Sequence, residues 1–187
     1  MNKRKYTAKE IAKWFINRAA KDINNGGEYL TQLKLQKLMY YAKGFYYVFE
    51  NDSLFNEKVS AQKFGPVVKD LVKDLKTYGR GPIVNEFTNE CDIKNPIVLN
   101  ILNFVYDKVG MYSTHTLVEF THSESPWNEV KTLGCNISEE VISDFFRNMY
   151  LDIKENNHLH ISENEIYALI TKNNLIKYRK AFENLAQ

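Results

Sequence analysis

His115, Glu119 and His122 stand at i, i+4 and i+7, so a continuous helix would carry two imidazoles and a carboxylate on one face. That donor set is able to hold zinc, although the spacing is not HExxH and no fourth ligand is evident nearby. The alternative is a His at each end of a short helix, making ordinary hydrogen bonds. His158 and His160 flank Leu159 in a polar stretch, where alternate spacing allows weak chelation or plain solvation. There is no GxSxG, no Cys with an evident His partner and no glycine-rich phosphate loop. The sequence therefore predicts no catalytic residue and no cofactor, with a metal-dependent enzyme kept as an alternative.

Binding chemistry has better candidates. Trp14 falls off the apolar stripe of its helix, beside Arg18 and Lys21, and Trp and Arg are enriched among interface anchors. The opposing reading covers Trp14 with the C-terminal tail or a neighbouring segment. Lys34, Gln36 and Lys37 lie near the start of the next helix, where a recognition helix would place base-reading side chains. The connection from Asn25 to Leu30 is longer than a helix-turn-helix allows, and the helix is very apolar. A DNA-binding regulator of its own operon thus ranks behind protein binding. Trp14, Arg18, Lys21, Lys34 and Lys37 are the expected partner-binding residues.

The elements that would position these groups are mostly helices. Thr7 and Glu10 form a capping box, and Ala8, Ile11, Ala12, Phe15, Ile16, Ala19 and Ile23 make a stripe ended by Gly26-Gly27. Thr31 caps a second helix to about Glu50. Leu35, Leu38, Met39, Ala42, Phe45, Tyr46 and Phe49 make one apolar face of it. Leu33, Tyr40, Tyr41, Tyr47 and Val48 make another, which predicts a central helix buried on both sides. Gly44 within it is expected to admit a neighbouring backbone. Lys58 to Phe64 reads as a short strand, and Ile83 to Phe87 as a second, pairing with it. Pro66 suits the first turn of a third helix, with Val67, Val68, Leu71, Val72 and Leu75 inward and a stop at Gly79.

Further on, Asn95-Pro96 opens a helix to about Gly110, Ser113 one through Phe120, and Ser125-Pro126 a short one at Trp127. Ser138 and Ser162 cap two more, the last kinked at Asn173-Asn174. Residues 155–160 read as a loop between core and tail. The fold expected is mainly α: a compact helical domain over 1–134 with a small two-stranded β ribbon, and a helical C-terminal extension over 135–187 packing on or beside it.

A content of 44% hydrophobic residues among 187 argues for a sizeable core and against wholesale disorder. Cys91 and Cys135 are far apart and form no CxxC, which suits reduced thiols in a cytoplasm. The basic start has no apolar run behind it, so no signal peptide and no membrane segment is expected. Charge is uneven. Residues 1–80 hold 16 Lys+Arg against 8 Asp+Glu, a local +8, and residues 81–187 hold 9 against 15, a local −6. The asymmetry suits an acidic partner on the front half, or two halves that neutralise each other in the fold.

Three pieces of sequence carry a family resemblance: Leu33 to Ala42 (LKLQKLMYYA), Phe64 to Val68 (FGPVV), and Thr121-His122-x-x-x-Pro126-Trp127. Together they resemble the Panacea domain of SocA-like antitoxins and phage-associated proteins, over about residues 6–134. The resemblance implies a compact helical domain that neutralises a cognate protein toxin by direct stoichiometric binding, the toxin being encoded by the adjacent gene. It supplies no catalytic residue. Tyr40, Tyr41, Gly65, Pro66, Val67, His122, Pro126 and Trp127 are its motif positions, and packing roles suit them: a sharp strand-to-helix turn at Gly65, a core anchor at Trp127, a hydrogen-bonded corner at His122. Self-association and nucleic-acid binding stay open. Residues 136–187 match no part of the pattern.

Overall fold

One capping box starts the fold. Thr7 accepts a hydrogen bond from the Glu10 amide at 3.2 Å, and Glu10 accepts one from the Thr7 amide at 2.8 Å, closing the box that opens α1 (Ala8–Asp22). Its stripe from Ala8 to Ala19 is buried, and a 3-10 turn at Ile23–Asn25 ends at Gly26 in the left-handed region. Thr31 caps α2 (Gln32–Glu50), in which every residue from Leu35 to Tyr47 is buried. This computed structural model describes residues 5–84, 92–130 and 132–156, the last four by backbone alone. α2 is its central element, as its two apolar faces predict.

The next segment departs from expectation. Val59–Gln62 (β1) pairs in antiparallel register with Gly65–Val68 (β2), Ala61 lying opposite Pro66. Pro66 is therefore a strand residue and not the start of a helix. Its missing N–H removes no ladder bond, because Ala61 turns its own groups to the other side. There the Ala61 amide donates to Cys135 O at 2.9 Å and the Gly134 amide donates to Ala61 O at 2.6 Å. Gly65, at φ 100°, takes the hairpin out of its Lys63-Phe64 turn in a conformation other residues rarely adopt. α3 (Lys69–Asp74) starts only after the strand; Leu71 and Leu75 face inward, whereas Val72 is 38% exposed. Nor does the Ile83 segment join β1: the Ile83 amide donates to Leu30 O at 2.8 Å, and 85–87 lie outside the described residues.

Asn95 caps α4 (Pro96–Phe104) with its side chain, and the helix continues as a π turn, Val105–Val109, up to Gly110. Ser113 caps α5 (Thr114–Ser123). α6 (Ser125–Asn128) follows with Pro126 in its first turn, but Glu124 and not Ser125 occupies the cap position. Cys135 to Ile137 lies along β1, the Ile137 amide donating to Val59 O at 2.8 Å, before α7 (Glu139–Asn156). Ile142 and Phe146 of α7 belong to the same core as α2. Helix extends through Glu155 and Asn156, where a loop is expected; Ser162, Asn173-Asn174, His158, His160 and Cys91 lie outside the described residues.

The close approach at Gly44 is made by a side chain and not by a backbone. A Cβ there would lie under 3.0 Å from three ring carbons of Phe146. That ring meets Tyr40, Tyr41 and Phe45 edge-on at centroid distances of 5.5, 6.0 and 5.2 Å. Such pairs contribute about 0.5–1.5 kcal/mol each beyond area burial.

Candidate functional site

The first buried turn of α2 holds the hairpin by its main chain. Gln36 donates its amide to Val68 O at 3.2 Å and accepts the Val68 N–H at 2.8 Å. Lys37, with no exposed surface, donates its ammonium to Phe64 O and, at 3.4 Å, to Pro66 O. From the other side Trp127 donates Nε1–H to Gln62 O at 2.8 Å. The His122 ring stacks on the Trp127 indole, centroids 3.9 Å apart and 14° from parallel, and bonds the Lys63 main chain. The Lys37 ammonium and Thr121 Oγ1 press against Gly65, leaving no space for a Cβ. The three motif pieces thus meet at one corner, and Gln62, Lys63 and Phe64 are each gripped by a side chain from α2, α5 or α6.

Beneath the hairpin lies a buried carboxyl. Glu124 is 2% exposed, accepts from Tyr41 Oη at 2.6 Å and also pairs with Tyr40. Burial pushes its pKa from 4.5 up to about 7, against the opposing pull of the two tyrosines and the Lys37 charge. Burial likewise pushes Lys37 from 10.5 down to about 7, with Glu124 opposing. His122 is held below its ordinary value by burial and then by Lys37.

The Glu124 shift has a signed consequence. Between 4.5 and about 7 the unfolded carboxyl has lost a proton that the folded one keeps, so this group makes stability fall as pH rises through that window. Urea unfolding of the wild type and of Glu124→Gln, compared from pH 5 to 7, should show the variant gaining relative to the wild type as pH rises. A pH-independent difference would refute the assignment.

A second buried lysine fastens α2 to α7. Lys43 Nζ lies 2.9 Å from Glu139 Oε1 and donates to Phe55 O at 3.0 Å and Glu57 O at 3.1 Å. Tyr47 donates its hydroxyl to the other Glu139 oxygen. Lys43 is itself pushed down by burial, against Glu139.

The expected site residues fare unequally. Trp14 is half-buried, edge-on to Phe15 at 5.3 Å and packed on the core. Arg18 pairs with Asp22, reaches Asp107 at 3.8 Å and lies 4.9 Å over the Tyr106 ring, while Lys21 is exposed. Lys34 is half-buried. Lys37 leaves the set of surface contacts altogether, because its ammonium is bonded inward. With Gln36 and Lys37 buried, α2 has no base-reading face, and the recognition-helix reading of it falls.

The His115, Glu119, His122 ligand set also fails. His115 and Glu119 pair at 3.1 Å in the open, whereas His122 is turned to the Trp127 indole and the Lys63 main chain and does not gather with them. Among the described residues no three His, Cys, Asp or Glu side chains gather as a metal site. The residues missed in the sequence are Glu124 and Lys43. Their signal was charge out of place: a Lys inside an unbroken apolar helix, and a Glu between His122 and Pro126.

The family model for the SocA-like antitoxin, Panacea domain, matches residues 35–128, which take in α2 from Leu35 on, the hairpin and α3 to α6. Comparison with curated proteins and with solved structures gave no match.

Proposed function

Since the chain belongs to the SocA-like antitoxin family and carries its Panacea domain, we propose that it neutralises a cognate protein toxin by direct stoichiometric binding, without catalysis of its own. The observation that carries this reading is the inward turn of the motif side chains within the matched span. Gln36, Lys37 and Trp127 direct their polar atoms at main-chain groups of the hairpin, so what they build is a shaped surface. Occlusion or remodelling of the toxin's active surface follows as the mechanism, in the cytoplasm. The half-open indole of Trp14, with Arg18 and Lys21 at i+4 and i+7, is assigned part of the contact. Among the described residues no helix is long and apolar enough to cross a membrane.

Co-expression with the adjacent open reading frame tests the reading. Induction of the neighbour alone should arrest growth, and growth should return when this chain is co-induced. A neighbour that is harmless alone, or that stays toxic beside this chain, ends the proposal.

A further inference from the structure

The hairpin tip is exposed yet held from beneath by three side chains. Phe64 is 49% exposed at the turn, and the Lys63 ammonium lies 5.5 Å over its ring. A two-residue turn with an open aromatic would ordinarily be mobile. Here the carbonyls of Phe64 and Gln62 are bonded by buried Lys37 and by Trp127, and the Lys63 main chain by His122. Lys69, at the far end of β2, is pinned on Gly134 O at 2.7 Å.

Charge on the hairpin has one sign. Within residues 59–68 Lys63 is the one charged side chain; just before them Glu57 and Lys58 carry opposite charge, and Lys58 lies 3.8 Å from Glu139. Asp70, on α3 with Lys69, lies 4.0 Å from Lys73. A held aromatic with one cation over its ring fits an apolar slot with a carboxylate at its rim. Preorganisation lowers the entropy lost on docking, and Lys63 favours an acidic surface at the tip.

Resting on the antitoxin reading, we infer that the Lys63-Phe64 tip is an anchor by which the chain engages its toxin, Phe64 entering an apolar pocket bordered by Asp or Glu. The inward motif residues are then the mount of the anchor.

The test uses the full chain and the purified, tagged product of the adjacent open reading frame, with affinity measured for wild type, Phe64→Ala, Lys63→Glu and Met111→Ala. Phe64→Ala should weaken binding about 30-fold or more, the scale of an anchor residue. Lys63→Glu should weaken it about 10-fold, chiefly in the association rate, and by less at high salt. Met111, 68% exposed and away from the hairpin in sequence, serves as the control and should change nothing. Wild-type binding with Phe64→Ala within about threefold of it would overturn the tip while leaving the antitoxin reading standing. Absence of wild-type binding would overturn both. Should Phe64→Ala lower the melting temperature, Lys63→Glu decides alone, and a wild-type affinity for that variant counts against the tip.

Discussion

Lys37→Met is expected to lower the unfolding free energy by about 3 kcal/mol, at the lower end of the range for removing one partner from a buried charged arrangement. Methionine fills the channel of the lysine stem, so the loss is polar. The carbonyls of Phe64 and Pro66 lose their donor, and Glu124 loses the cation acting on its carboxyl among the described residues. An orphaned buried acceptor costs about 1–3 kcal/mol. Burial of a lysine is itself unfavourable, which argues the other way. The net sign is set by what stays behind: the buried Pro66 carbonyl and the buried Glu124 carboxyl, with the Phe64 carbonyl beside them. Lys37→Met with Glu124→Gln should therefore recover part of the loss, since an amide needs no counter-charge. Denaturant unfolding of both variants measures this. A single variant within about 1 kcal/mol of wild type would show that the ammonium contributes little.

Gly44→Ala is expected to destabilise by about 2 kcal/mol although helix propensity favours it by about 1 kcal/mol. Packing decides the sign. The new methyl would lie under 3.0 Å from three ring carbons of Phe146, a side chain with no exposed surface. The ring cannot swing away, because Tyr40, Tyr41, Phe45 and Phe145 surround it. Phe146→Leu shortens that side chain and should make Gly44→Ala less harmful, so the double variant should lose less than the sum of the two singles. Strict additivity in thermal or denaturant unfolding would place the clash elsewhere.

The central position of α2 was legible because its evidence is intrinsic: two apolar faces on one helix leave no side for water. The caps at Thr7, Thr31, Asn95 and Ser113 were legible for a similar reason, each bonding an amide two or three residues away. Pro66 misled because its ring suits both the first turn of a helix and a strand position that owes no ladder bond. Only the placement of Cys135 beside Ala61, more than seventy residues on, distinguishes the two.

The amino-acid order thus dictated whatever depends on near neighbours: where most helices begin, which faces are apolar, and which three motifs mark the family. Folding alone set the fate of the charged groups, since a side chain's desolvation depends on segments distant in the chain that come to cover it. Lys37 read as a surface cation until the hairpin, 27 residues away, supplied carbonyls to its ammonium. Glu124 was an unremarked acid until Tyr41, 83 residues before it, closed over its carboxyl. Phe64 became an outward-facing tip only once α2, α5 and α6 held the turn from beneath.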